Sequence, residues 1–172
     1  MKLELVDRRR GKAWQPTSEM IKRMEWVCYP TGRPEWWIDL VLADNSTVSD
    51  LNWRYRHQQG VTDVLSFSYL EQSGDSAPQL TAGHGYAHCD LWLDPLTSKT
   101  KTAVGEVVLA TGYVADCCRE HGWSFENELI FLTVHGVLHI LGWEHEDASE
   151  TRAMRIKEAE LLERAGIEHP LL

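Results

Sequence analysis

The chain has 172 residues, 43% hydrophobic and 25% charged, which suits one globular domain over residues 1–172 with a full core. Its 17 basic and 26 acidic residues leave a net charge of −9, which argues against broad nonspecific attachment to nucleic acid through phosphate neutralisation. The opening run Met1-Lys2-Leu3-Glu4-Leu5-Val6 is too short and too charged for a signal peptide, and no stretch approaches the roughly 18 apolar residues of a membrane span. Cys28, Cys89, Cys117 and Cys118 lack paired metal spacing, so they read as reduced thiols of a cytoplasmic protein.

Residues 2–6 alternate in branched apolar types and predict a first strand. The basic run Arg8-Arg9-Arg10-Gly11-Lys12 follows, read either as a solvated loop or as part of a local basic groove with Arg54 and Arg56. Thr17 or Ser18 caps a helix whose Met20, Met24 and Val27 share a face, and Pro30 with Gly32-Arg33-Pro34 ends it. Glu35 to Ala43 predicts a second strand. Asp44-Asn45-Ser46 is expected as a turn, and Thr47 or Ser49 as the cap of a short helix ending near Arg56 or His57. Val64 to Tyr69 predicts a third strand.

Residues 71 to about 102 are rich in Gly, Ser, Pro and Thr and predict a long irregular loop, with a possible short strand at Asp90 to Leu93. Gly105 to Ala110 predicts a fourth strand, followed by a helix from about Thr111 to Glu120. Ser124 caps the next helix, with Glu126 and Glu128 favouring the positive end of its dipole. From Leu129 to Leu141 that helix is apolar almost all round, so it is expected to be the buried centre of the fold. Asp147-Ala148-Ser149-Glu150 is a capping box for a last helix that runs to Ala165. These elements predict an α/β (α+β) fold, a small mixed sheet packed with helices.

The buried helix carries the chemistry. His135 and His139 are one turn apart and point the same way. Gly142 stops the helix, and the reversed chain can return His145 to the same point. Three neutral imidazoles with one open position are the layout of a catalytic zinc site. A lone histidine on an apolar helix is usually a satisfied core residue, but two at this spacing and a third beyond the stop need a better reason. His84 and His88, four apart in the irregular loop, read as solvated side chains, while His57, His121 and His169 sit at element ends and carry no signal. The same spacing occurs in the long zinc signature of metzincin proteases, but there a glutamate after the first histidine is the general base. Here that position is Gly136, which leaves a proteolytic mechanism without its base.

His135-Gly-Val-Leu-His139-Ile-Leu-Gly-Trp-Glu-His145 closely resembles the signature of the YbeY family, bacterial zinc-dependent endoribonucleases of rRNA maturation. Leu51-Asn52-Trp53-Arg54-Tyr55-Arg56, with Thr62-Asp63-Val64-Leu65-Ser66-Phe67, is similar to a second block of that family, and Gly105-Glu106-Val107-Val108 to a third in which Glu replaces Asp. The likeness runs from about residue 35 to 165. It implies a four-stranded mixed sheet with about five helices, and one zinc ion held by His135, His139 and His145. It further implies cleavage of single-stranded RNA, maturation of the 16S rRNA 3′ end and ribosome quality control, with ribosomal subunits as partners and neither DNA nor membrane. The family's important arginine falls on Arg56, where a guanidinium can clamp a phosphate. Glu144 and Glu106 are weak candidates for the unassigned base. Gln58-Gln59 and Val61 stand where the family has Lys-Asp and Pro, and Glu144 where it has Asp. Two other classes stay open, a ribosome-assembly binding protein with a structural metal and, third, a metalloprotease-like hydrolase.

Overall fold

A computed structural model describes residues 1–11, 14–70 and 102–171. The irregular loop, with His84, His88, Cys89 and the possible strand at Asp90 to Leu93, lies outside the described residues. Five helices and four strands follow the expected order: β1 (Lys2–Asp7), α1 (Ser18–Cys28), β2 (Trp36–Ala43), α2 (Asn45–Arg56), β3 (Val64–Ser68), β4 (Thr102–Ala110), α3 (Thr111–His121), α4 (Phe125–Ile140) and α5 (Ala148–Glu163). The sheet order is β1-β2-β4-β3, with β1, β2 and β4 parallel and β3 antiparallel at the edge. This is the predicted α+β class with its four-stranded mixed sheet.

Strand β2 is buried from Ile38 onward because helices cover both faces of the sheet, the usual reason for a continuous apolar strand. Its even positions, with Val107 and Leu109 of β4, meet α1 and α4 in the larger core. Its odd positions Val41 and Ala43, with Leu65, Phe67 and Val108, meet Val48 and Leu51 of α2. Helices α2 and α4 therefore lie on opposite faces of one sheet.

Three expectations are corrected. Helix α2 starts at Asn45, not at Thr47 or Ser49, and Asp44 takes the N-cap position. The Asp44 carboxylate makes no cap bond; it accepts from the Arg10 backbone N–H at 3.0 Å, a partner 34 residues away. Strand β4 starts at Thr102 because Thr102 and Ala103 pair with Trp36 and Trp37 ahead of a register shift. The basic run is not a uniformly solvated loop. Arg9 is buried, donates to both Asp7 carboxylate oxygens at 2.9 and 3.0 Å, and reaches the Trp14 carbonyl at 2.7 Å. Those bonds hold the Asp7 carboxyl well below the ordinary range. Of the thiols, Cys28, Cys117 and Cys118 are free, as expected.

On the α2 side of the sheet, register sets Glu4, Asp39 and Glu106 side by side across β1, β2 and β4. Burial, then the charges of Glu106 and Glu4, push the Asp39 carboxyl up to about 6, against a smaller opposite pull from Arg8. The folded state thus binds a proton that the unfolded chain has released, so stability falls as pH rises from about 4 to about 6. Asp39→Asn is expected to raise unfolding free energy at pH 8 by up to about 3 kcal/mol, with the gain vanishing below pH 4. Denaturant titrations of both proteins at pH 3.5 and 8 check this; equal gains at both pH values would refute it.

Candidate metal centre

Helix α4 is capped by Ser124, whose hydroxyl accepts from the Asn127 N–H, and is buried from Leu129 to Ile140 except at His135. Its end is built by Gly142 at φ 88°. The Gly142 N–H reaches the His139 carbonyl at 2.9 Å and the Trp143 N–H reaches the Leu138 carbonyl at 3.0 Å, the paired bonds of a Schellman stop. The reversal brings the Trp143 carbonyl to 2.9 Å from His139 Nδ1. One turn thus ends the helix, orients His139 and sends the chain to His145. Beyond it the capping box at Asp147 and Glu150 starts α5, and the Thr151 hydroxyl donates to the His145 carbonyl at 3.1 Å.

One ring nitrogen from each of His135, His139 and His145 falls within 4.8 Å of the others, the one such group of three metal-ligating side chains among the described residues. Tautomers follow from the neighbours. The Trp143 carbonyl can only accept, so His139 Nδ1 carries the proton and Nε2 presents its lone pair. His135 Nδ1 lies 2.7 Å from Glu158 Oε1; an ionised carboxylate only accepts, so His135 Nε2 presents its lone pair as well. The two Nε2 atoms stand 3.0 Å apart. Two lone pairs facing at that distance repel unless positive charge lies between them. With a third imidazole converging and one side left open, the donor set fits zinc, whose tetrahedral nitrogen ligands at about 2.0–2.1 Å stand a little over 3 Å apart.

Glu158 escapes a reading of the sequence for ligands. It is 2% exposed and its second oxygen lies 2.7 Å from Nε2 of His169. Burial raises its pKa, but the bonds from His135 and His169 more than offset that and hold the carboxyl below the ordinary range. A signal existed: Glu158 shares the buried face of α5 with Met154, Leu161 and Leu162, an acid where the helical pattern calls for an apolar side chain. His169, set aside as a terminal residue, is also buried and carried no such signal.

The structure separates Glu106 and Arg56 from the histidines. The Glu106 side chain leaves β4 on the face opposite Val107, which lies against Gly136 of α4, and that removes it from the choice of base. Glu144, beside His145, is half-buried, and burial followed by the charges of Glu146 and Glu150 raises its pKa. Arg56 ends α2 on the far face of the sheet, and no hydrogen bond or ion pair joins it to the three histidines. It nevertheless lies at the same end of β3 as the histidine group. The Tyr55 ring packs on Phe67 at 5.2 Å, and the hydroxyl of the next residue, Ser68, donates to the Ile140 carbonyl at 2.9 Å, one residue beyond His139.

Fold and site together define an α+β protein whose central helix and the turn after it bring together three imidazoles that could hold a metal ion. The family model described as Endoribonuclease YbeY matches residues 13–166. Curated relatives called Endoribonuclease YbeY are similar over most of their length. That of Heliobacterium modesticaldum is 32% identical over 98% of both chains. That of Carboxydothermus hydrogenoformans is 34% identical over 76% of this chain and 73% of its own. That of Parvibaculum lavamentivorans is 33% identical over 98% of this chain and 84% of its own. The chain belongs to the YbeY family. The solution structure of a Thermotoga maritima protein shares the fold, with a TM-score of 0.56 at 20% identity over 94% of this chain and 88% of that one.

Proposed function

We propose that this chain is a zinc-dependent, single-strand-specific endoribonuclease that matures the 3′ end of 16S rRNA and takes part in ribosome quality control, working in the cytoplasm on rRNA and ribosomal subunits as one domain over residues 1–172. The observation that carries the metal assignment is the 3.0 Å approach of two imidazole nitrogens whose Nδ1 partners make both of them acceptors. His135, His139 and His145 hold the ion; when bound, zinc lowers the pKa of a coordinated water and offsets charge on a phosphate oxygen. Among the described residues no helix is long and apolar enough to cross a membrane.

Arg56 binds the phosphate. Its side chain makes no hydrogen bond or ion pair among the described residues, so it meets a phosphate without first breaking a protein bond. The RNA strand passes around the edge strand β3 between the ends of α2 and α4. Glu144 is the subsidiary assignment, as the carboxylate that takes a proton beside His145. Purified protein with quantified zinc is expected to cleave single-stranded precursor rRNA and to stop on chelation. Arg56→Ala is expected to lose about 10²–10³-fold in cleavage with its zinc content unchanged, the size seen when one transition-state donor is removed. Chelator-insensitive cleavage by pure protein would end the zinc assignment, and full activity in Arg56→Ala would end the phosphate assignment.

A further inference from the structure

Helix α5 meets the C-terminal residues in a buried contact. Glu158 has one oxygen on each of two imidazoles, Oε1 at 2.7 Å from His135 Nδ1 and Oε2 at 2.7 Å from His169 Nε2. His169 Nδ1 lies 3.0 Å from the Leu171 backbone N–H, which can only donate. Nδ1 therefore carries no proton, and the neutral ring must hold it on Nε2, aimed at Glu158. Every donor and acceptor in the row Leu171 N–H, His169, Glu158, His135 then has one direction. The ring of His169 is further fixed edge-on to Phe131 at 5.4 Å, one turn before His135 on α4. The side chains of Glu158 and His169 are 3% and 1% exposed, so the bond between them is shielded from water.

We infer that Glu158 is a positioning residue of the metal centre, and that His169, in the C-terminal segment after α5, fixes Glu158 in the orientation that presents the Nε2 lone pair of His135. This rests on the three-histidine metal assignment proposed above. A carboxylate behind a metal-bound imidazole sets its tautomer, its ring angle and its basicity, and losing such a partner typically costs 10–100-fold in metal affinity. Here a second imidazole, that of His169, stands behind the carboxylate. Without it Glu158 is a buried acid with one partner, free to turn away from His135. The C-terminal segment thereby becomes part of the metal site although it supplies no ligand.

The probes are zinc, titrated against a chromophoric chelator, and cobalt(II), whose visible bands report ligand geometry. Glu158→Gln offers one acceptor oxygen to two N–H donors, so its amide must face one of them. It is expected to bind zinc about 10–100-fold more weakly and to shift the cobalt bands. His169→Leu removes the donor at similar size and is expected to weaken zinc by about tenfold, the low end of that range. His169→Gln can keep an N–H on Glu158 and is expected to restore affinity and the cobalt spectrum. Folded Glu158→Gln that binds zinc like the unaltered protein overturns the inference. So does His169→Gln that fails as His169→Leu does, since loss of packing alone would then explain both. Should His169→Leu not fold, Glu158→Gln and His169→Gln carry the comparison. Unaltered protein that binds no zinc would defeat the metal assignment itself, which separates that failure from this one.

Discussion

His139→Ala is expected to abolish zinc retention and reduce RNA cleavage to background. His139 is 7% exposed at the end of α4 and holds one side of the 3.0 Å nitrogen pair. Its removal leaves two ligands, one of them exposed, and takes away the imidazole whose orientation is fixed by the helix stop. The loss of affinity should exceed the 10–100-fold typical of an outer-shell partner. A second readout needs no substrate. Zinc binds the folded chain through residues that the unfolded chain scatters, so zinc at about 1,000 times its Kd should stabilise the unaltered protein by about 4 kcal/mol. The variant should show no zinc-dependent shift in melting temperature. Zinc at full stoichiometry with unchanged cleavage in His139→Ala would end the metal reading, and running this variant beside the unaltered protein controls for a contaminating ribonuclease.

The second large effect is expected at Gly136, between His135 and His139 of α4. A Cβ built there meets Val107 Cγ1 at 2.8 Å and Cγ2 at 3.0 Å. Rotating Val107 gives no relief, because two methyls share three staggered positions and at least one always faces the helix. Alanine would return about 1 kcal/mol of helix propensity. Against this stands overpacking of a fully buried contact, typically about 1–3 kcal/mol and occasionally more. At this distance the overpacking wins, so Gly136→Ala is expected to lose up to about 2 kcal/mol net in a denaturant titration. Gly136→Glu would drive a carboxylate into the sheet and should not fold cooperatively. The paired change with Val107→Ala should recover part of the alanine loss; no recovery would show that the contact is not the cause. The geometry also adds to the case against a protease. Position 136 faces β4, so a glutamate there would not serve the metal as a base even if the chain could accommodate it.

Much of this was readable from the chain because it depends on near neighbours. The face shared by His135 and His139 follows from helical spacing, and the stop at Gly142 from its tolerance of positive φ. The Ser124 cap and the Asp147 capping box act over three residues. The strands and helices, the α+β class and the family blocks were likewise local patterns. Errors came where a distant partner intervened. Asp44 looked like part of a turn because nothing nearby shows that Arg10 occupies its carboxylate. Arg9 is the exception: its partners Asp7 and Trp14 lie only two and five residues away, yet the solvated reading of the basic run missed that the chain folds back there.

By itself, then, the sequence determined the three-histidine group, the element that carries two of its members and the family, since each is written in spacings of a few residues. Tertiary structure alone decided which groups stand behind and around that set. The bond from His135 to Glu158 spans 23 residues and exists only because α5 packs on α4. Which sheet face receives Glu106, and which end of β3 receives Arg56, depends on strand register and on how helices cover the sheet. No short pattern encodes those choices, because they are set by burial of the whole core.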